Sequence, residues 1–185
     1  LILGHQTTGT LDDAKNNVAI GGIALDAITS GDYNTAIGYD ALTANTTGSS
    51  NTASGYESLK SNTEASYNTA MGYRALKANT TGANNSAFGT MSLSANTTGA
   101  RNIAIGYTAY DGADTEDDNL AIGYAALGGS IDGGENNVAI GNYSLDANTS
   151  GGLNVAVGFK VLTANTTGSS NTASGHKSME ANTTG

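Results

Sequence analysis

The sequence predicts an all-β fold, a parallel β-solenoid or β-roll built of coils of 17 residues. Two observations predict it: a Gly that returns at a fixed short period, and a β-forming segment before that Gly with turn formers after it. The composition points the same way, with 26 Gly, no Trp, no Pro, no Cys and 12% charged residues. Large apolar side chains are too scarce for a conventional globular core, so we expect a thin core of many similar layers.

The repeat is marked by the Gly that closes each N-x-A-x-G motif. Nine of the ten spacings between these markers are 17, and the remaining step, from Gly123 to Gly141, is 18. We place the extra residue in the turn GGSIDGGE. Residues 1–185 therefore form a single repeat array of about eleven coils, and because both ends fall inside a repeat we expect a fragment of a longer fibre. The markers are Gly4, Gly21, Gly38, Gly55, Gly72, Gly89, Gly106, Gly123, Gly141, Gly158 and Gly175.

Each position of the coil has its own chemistry. Ala stands two residues before the marker in nearly every copy, between β-formers such as Val18 and Ile20, and predicts a short strand around a narrow interior. Leu stands four residues after the marker in most copies and fills the space that Ala leaves. The A-N-T-T-G that follows is a polar turn. One coil is thus a short strand, a Gly corner, a second extended segment and a turn, with no helical periodicity.

Asn opens every coil that the chain covers completely. Equivalent residues of stacked coils lie about 4.8 Å apart, so we expect these Asn side chains to hydrogen-bond to one another as a structural ladder. The ladder residues are Asn17, Asn34, Asn51, Asn68, Asn85, Asn102, Asn119, Asn137, Asn154 and Asn171. A second column of Asn lies in the turns, at Asn45, Asn62, Asn79, Asn96, Asn148, Asn165 and Asn182.

The strand segment V-A-I is apolar on both faces. Because successive strand residues point in opposite directions, one face forms the interior of the coil and the other requires a partner. Homo-oligomerisation along the rod is the economical solution. Ser54, Ser174 and several Thr weaken the apolar character of this outer face in some coils.

The motif N-[TVILS]-A-[IVMFS]-G resembles the head repeats of trimeric autotransporter adhesins of the YadA type. The fuller unit NTAIGYDALTANTTG is similar to repeats of phage tail fibres and of large secreted bacterial fibre proteins, and the likeness covers the whole chain. The resemblance implies a left-handed β-roll with three chains side by side. It also implies an extracellular, cell-surface or virion location, and a rigid shaft or head that presents an attachment surface to a glycan or protein receptor. The sequence departs from the adhesins in its longer period and in the Thr that often follows the Asn.

Aromatic residues occupy the position after the marker Gly. This column holds Tyr39, Tyr56, Tyr73, Tyr107, Tyr124 and Phe159. We favour a structural stack of rings that covers the Gly corner. The alternative is ligand binding by the exposed tyrosines, which would make the rod a glycan-binding module. A further alternative is ice binding by paired Thr such as Thr46 and Thr47, but adjacent side chains diverge on an extended segment.

One turn is strongly acidic, the segment DGADTEDDN. Its carboxylates are Asp111, Asp114, Glu116, Asp117 and Asp118. Closely spaced carboxylates around a Gly can bind Ca²⁺, although the spacing does not match an EF-hand loop. A solvated acidic turn is the favoured interpretation. Because this turn breaks the repeat, it is also a candidate for specific contacts.

The sequence argues against catalysis and against nucleic acid. The two His residues, His5 and His176, lie at opposite ends of the array, roughly 50 Å apart in a stack of this spacing, and there is no Cys. We therefore predict neither an enzyme nor a bound cofactor. The net charge of −9, from 16 acidic and 7 basic residues, disfavours polyanions. No apolar run is long enough to insert into a membrane.

Overall fold

The computed structural model describes residues 2–3 and 14–185, and within them one parallel sheet of eleven strands runs the length of the chain. The strands pair in sequence order, β1 to β11, and this described part contains no helix. The predicted solenoid is therefore confirmed. The strands are β1 (Ile2–Leu3), β2 (Val18–Ile20), β3 (Thr35–Ile37), β4 (Thr52–Ser54), β5 (Thr69–Met71), β6 (Ser86–Phe88), β7 (Ile103–Ile105), β8 (Leu120–Ile122), β9 (Val138–Ile140), β10 (Val155–Val157) and β11 (Thr172–Ser174).

The sheet keeps every coil in register with the next. Ala36 pairs with Ala53, one repeat of 17 residues further along the chain. The longer coil lies between β8 and β9, where Ala121 pairs with Ala139. The strand alternation places the Ala inward and its two neighbours outward in every coil from β2 onward.

The extra residue of the longer coil lies in the predicted turn. The Leu127 N–H donates to the Ser144 carbonyl, an offset one residue longer than that of the equivalent bond from Leu42 to Ser58. The Asp132 N–H donates to the Thr149 carbonyl with the offset of a regular coil. The insertion therefore falls between Leu127 and Asp132, within GGSIDGGE.

The sequence predicted a second extended segment after the Gly corner of each coil, and this prediction is wrong. After the strand the chain forms turns, with left-handed residues at two alternate positions, such as Asp40 (φ 60°) and Leu42 (φ 51°). Reversals of the sign of φ along this segment prevent a strand. The segment still bonds to its neighbours, since the Asp40 N–H donates to the coil before it and the Leu42 N–H to the coil after it.

The marker Gly is required at the corner between strand and turns. Gly38 has φ 134°, outside the range of ordinary L-residues, and a Cβ there would lie 2.5 Å from the carbonyl oxygen of Gly55 in the next coil. The same close approach recurs from coil to coil, as at Gly55 against Gly72. The corner therefore determines both the direction of the chain and the distance between coils.

The core consists of small residues in register. The Ala of the strand and the Leu after the corner are fully buried, as at Ala36 and Leu42, in agreement with the sequence prediction. A third column of small residues precedes the Leu, for example Ala41 and Ser58, and it is equally buried. The interior is therefore only a few side chains wide and continues through all described coils from β2 to β10.

Candidate functional site

The Asn that opens each coil is buried from Asn34 to Asn154 and bonds to backbone groups. The Asn68 Oδ1 accepts the backbone N–H of Asn85 at 2.9 Å, and the Asn68 Nδ2 donates to the Gly82 carbonyl at 2.9 Å. Bonds from a backbone N–H to the preceding Asn Oδ1 continue without a break from Asn17 to Asn171. The predicted residues thus form a ladder, but its principal bond runs from side chain to backbone and not between side chains.

In the column of turn Asn residues the bond to the neighbouring coil runs directly between side chains, whereas in the opening column such bonds accompany the backbone bond at some steps, as from Asn51 to Asn34. Asn62 Nδ2 donates to Asn45 Oδ1 at 3.0 Å, and the same bond follows from Asn79 to Asn62. Ala113 and Ile131 interrupt this column. Where it stops, the buried Oδ1 of Asn96 has no hydrogen-bond partner. The two Asn columns therefore differ, since the first is continuous and the second is replaceable.

The outward side chains of the strands form a long surface, which we call the strand face. Its residues are the first and third of each strand, and many are large apolar side chains that remain about 40% exposed. These are Ile20, Ile37, Met71, Phe88, Ile103, Ile105 and Val157. Tyr33, Tyr67 and Leu153, which immediately precede the opening Asn, are more than 60% exposed beside this face. The apolar strip therefore extends along the rod.

The strand face changes in character along its length. Thr or Ser begins strands β3 to β6, whereas Ile103, Leu120, Val138 and Val155 begin β7 to β10. The first position of the strand is therefore polar in β3 to β6 and apolar in β7 to β10, whereas the third position is apolar in both halves of the rod except at Ser54 and Ser174.

The column of aromatic residues after the Gly corner, here called the aromatic column, is a stack of rings. Tyr39, Tyr56 and Tyr73 stack with centroids 5.6 and 5.4 Å apart, and Tyr107 stacks on Tyr124 at 5.5 Å. Each ring is about half exposed. Within each stack the ring faces contact one another, so the edges and hydroxyls are what solvent reaches. Ligand binding by these five tyrosines stays a prediction.

Further along the rod the aromatic column includes residues that sequence reasoning did not place there. In its coil Asn142 occupies the column position and Tyr143 is the residue after it. The ring of Tyr143 nevertheless makes edge contacts with Tyr124 at 5.1 Å and with Phe159 at 6.3 Å. His176 stacks on Phe159 at 5.5 Å. His176 therefore acts as the last ring of the column, while His5 lies outside the described residues.

An ion-pair network, missed by sequence reasoning, lies beside the first aromatic stack. Glu57 bonds to Lys77 at 2.8 Å, Lys60 at 3.0 Å and Arg74 at 2.8 Å, and Lys60 also pairs with Asp40 at 2.7 Å. Hydrogen bonds from Lys77 and then Lys60, against the opposing effect of burial, lower the pKa of Glu57 to about 2. The repeat is the sequence signal that could have revealed this network, because charged residues at two fixed positions of the coil meet when the coils stack.

The acidic turn is held together by its own backbone and by one arginine. Glu116 is buried and accepts the N–H groups of Asp114 and Thr115, both at 3.2 Å. Arg101 donates to both carboxylate oxygens of Asp118 (2.6 and 2.8 Å) and to Asp117 at 2.8 Å. This hydrogen bonding from Arg101 lowers the pKa of Asp118.

The remaining acids of this turn are placed differently. Asp114 is exposed, and burial raises the pKa of Asp111. Among the described residues, no group of three or more His, Asp or Glu side chains is arranged to hold a metal ion. Calcium binding by the turn stays a prediction.

Tyr110 replaces the usual Leu in the same coil and is fully buried. Its hydroxyl accepts a hydrogen bond from Asn119 Nδ2, and burial raises its pKa. Because Ala113 stands where other coils have Asn, the larger ring occupies the interior of this coil together with a smaller neighbour. The substitution preserves the volume of the core and not its chemistry.

The paired Thr residues of the turns have separate roles. The hydroxyl of Thr46 donates to the Thr63 carbonyl of the next coil at 3.0 Å, and Thr80 does the same to Thr97. The second Thr of each pair, such as Thr47, is exposed. One column of free hydroxyls therefore faces solvent, and the exposed Glu64 interrupts it.

Comparisons with known proteins give no match. No protein-family model fits the sequence, and no curated protein or solved structure is significantly similar to it. Over the described residues, the chain has no helix with the length and hydrophobicity needed to cross a bilayer.

Proposed function

We propose that the chain is a segment of an extracellular, cell-surface or virion fibre, a rigid shaft or head that presents an attachment surface and assembles as a side-by-side homotrimer. The observation that carries this proposal is the strand face. Apolar side chains such as Ile37, Met71 and Ile105 are 41, 45 and 39% exposed in a strip parallel to the rod, which β4 interrupts with its outward Thr52 and Ser54. Extended apolar strips of this kind are typical of interaction surfaces.

A second copy of the chain is the partner that fits this strip. A binding surface that repeats with every coil is matched over its whole length only by a partner with the same repeat spacing. A chain of identical period provides that match without further adaptation. A trimer is the assembly that the resemblance to the adhesin head repeats implies.

Rigidity supports the mechanical part of the proposal. Each coil bonds to both neighbours through its strand, through the ladder of opening Asn residues such as Asn68, and through turn bonds such as that from Thr46 to Thr63. In a stack of this kind, stability comes from the interfaces between neighbouring repeats. Bending the rod would open several of these bonds at once, so a stiff shaft is expected.

The test is the molar mass in solution, measured by light scattering. The proposal predicts about 55 kDa, three times the chain mass of 18.4 kDa. Ile105→Asp combined with Ile122→Asp should convert the assembly to monomers, because each places a charge in the shared apolar face. The matched control, Thr81→Asp with Thr98→Asp, adds the same charge on exposed turns and should leave the mass unchanged.

Two outcomes would contradict the proposal. A folded wild-type monomer of 18.4 kDa would remove the assembly. Dissociation by the turn variants together with retention of mass by the strand variants would place the interface elsewhere on the rod. Circular dichroism of each variant distinguishes loss of assembly from loss of fold.

A further inference from the structure

The residue immediately before each opening Asn forms a column beside the strand face, which we call the flank column. In each coil from β2 onward this residue stands two positions before the strand, and the residue of the aromatic column stands two positions after it. The two columns therefore border opposite sides of the strand face, up to roughly 20 Å apart for six residues of extended chain. The flank column consists of Asn16, Tyr33, Ser50, Tyr67, Asn84, Arg101, Asp118, Asn136, Leu153 and Ser170.

The two columns vary together from coil to coil. The three coils that have Asn in the flank column are also the three that have no ring in the aromatic column. They pair Asn16 with Gly22, Asn84 with Thr90 and Asn136 with Asn142. Every other coil from β3 to β11 has a ring, and the largest flank residues occur among these coils. They pair Tyr33 with Tyr39, Tyr67 with Tyr73 and Leu153 with Phe159.

Contacts within one chain do not account for this correlation. The columns run parallel on opposite sides of the strand, so the stacking of coils does not bring them together. Tyr33 and Tyr67 are 63 and 65% exposed, and within residues 14–185 neither ring stacks on another ring. The local backbone gives no reason for them either, because the flank position is left-handed, as at Tyr67 (φ 64°), and this conformation favours Asn over Tyr or Leu.

The surface between the two columns is nearly free of charge. Its four positions are the flank residue, the two outward strand residues and the aromatic-column residue. From β2 to β11 they include only Arg101 and Asp118, which bond to one another at 2.6 Å, although the chain has 16 acidic and 7 basic residues. A surface roughly 20 Å wide and 45 Å long provides about 900 Å², close to the roughly 800 Å² per partner of a stable interface.

We propose that copies of the chain pack in register and in the same direction, with the flank column of one copy against the aromatic column of the next. A rotation about an axis parallel to the rod brings one side of the face against the opposite side of the neighbouring copy, at the level of the same coil. The pair Tyr67 and Tyr73 then forms a contact between chains, and Asn84 with Thr90 forms a smaller polar one.

The correlation selects this arrangement over an antiparallel one. Antiparallel copies bring residues of different coils together, so they give no reason for the two columns of one coil to match. The inference rests on the self-association proposed above, and it adds the residues that meet and the direction of the neighbouring copy.

The test is chemical cross-linking of cysteine pairs, which is possible without background because the chain has no Cys. Asn84→Cys combined with Thr90→Cys changes two small side chains of one coil. A short bis-maleimide does not span the roughly 20 Å between these positions in one chain, so it should join neighbouring copies into covalent oligomers on a denaturing gel. Asn84→Cys combined with Asn142→Cys, three coils apart, is the matched control and should give none, as should Asn84→Cys alone.

Light scattering of the same variants distinguishes the failure of this pairing from the failure of self-association. Monomers of the wild type would remove both. An assembly in which the same-coil pair does not cross-link would overturn the pairing and leave the self-association standing. Cross-linking by Asn84→Cys alone, or equally by the pair three coils apart, would have the same meaning.

A double-mutant cycle at a large pair provides an independent measurement. Tyr67→Asn and Tyr73→Thr should each raise the dissociation constant of the assembly by about tenfold, because each removes the same aromatic contact. The double variant should therefore be hardly weaker than either single variant. Tyr67→Asn combined with Tyr107→Thr, two coils apart, is the control in which the two losses should multiply. Losses that multiply in the first pair as well would overturn the pairing.

Discussion

Two regions of the rod keep the same strand pairing with different interiors. Residues 34–101 follow the repeat closely, with buried Leu and an unbroken turn column from Asn45 to Asn96. Residues 102–136 replace these with Tyr110, Ala113 and Ile131, all buried. The strands of both regions pair without a change in order.

The comparison distinguishes the residues that set the register of the coils from those that fill the interior. The opening Asn ladder continues through both regions, including the step from Asn119 to Asn137 in the longer coil. The turn column does not. We infer that the strand and the opening Asn determine the register, while the turn side accepts any side chains that fill the same volume and satisfy their own polar groups.

We expect the greatest loss of stability from a substitution at Tyr110. Tyr110→Ala should cost about 3–5 kcal/mol in the free energy of unfolding, because it leaves a large cavity and removes the hydroxyl that Asn119 bonds to. Urea denaturation measures the cost, and hydrogen exchange should show the loss of protection centred on residues 102–136.

The matched control for this prediction restores the regular coil. Tyr110→Leu combined with Ala113→Asn should be much less destabilising than Tyr110→Ala. The amide introduced at position 113 can donate a hydrogen bond to the Oδ1 of Asn96, which lacks a partner. If the double variant is as unstable as Tyr110→Ala, the two interiors are not interchangeable and the comparison fails.

The next prediction compares the loss of stability caused by substitutions in the two Asn columns. Asn68→Ala should cost about 2–3 kcal/mol because it leaves the buried backbone N–H of Asn85 without an acceptor. Asn79→Ala should cost about 1 kcal/mol, since the Gly82 carbonyl keeps its bond from Asn68 and Asn96 keeps its bond to Gly99. Thermal unfolding of both variants gives the order, and the reverse order would contradict the proposed difference between the columns.

The smallest effect concerns Glu57, whose ion pairs occur in the regular region. Its pKa is about 2 in the folded protein, against an ordinary value of 4.5, so the folded state binds this proton less readily. Its stabilisation is therefore complete above about pH 4.5 and is lost as the pH falls toward about 2. We expect Glu57→Gln to cost about 1 kcal/mol at neutral pH, a modest value because its cationic partners are partly exposed.

The measurement is the melting temperature of wild type and Glu57→Gln from neutral to acidic pH. The two curves should converge as the pH approaches about 2, because protonation removes from the wild type what the substitution has already removed. Glu64→Gln, on an exposed turn, provides the control and should follow the wild type throughout. A constant difference between Glu57→Gln and wild type at all pH values would show that packing, and not charge, is responsible.

Sequence reasoning placed some side chains correctly because the period alone determines what stacks on what. Ala36 above Ala53 follows from the spacing of 17. It missed the left-handed residues Asp40 and Leu42. Leu does not favour positive φ, and the position of Asp40 is held in other coils by residues such as Glu57 and Arg74, so the conformation is imposed by bonds to both neighbouring coils. It also missed the ring of Tyr143, which moves into the aromatic column only because Asn142 leaves room there.

The solenoid, its strand positions, its Ala and Leu core and the residues that share each column follow from the sequence alone, because a fixed period translates directly into neighbours in the stack. Which atoms of those columns bond follows only from the three-dimensional structure. The opening Asn accepts a hydrogen bond from the backbone of the next coil, whereas the turn Asn donates to the Asn side chain of the neighbouring coil and to the Gly carbonyl of its own turn. The three-dimensional structure also determines which faces remain open, since exposure depends on the direction of each side chain and not on its place in the repeat.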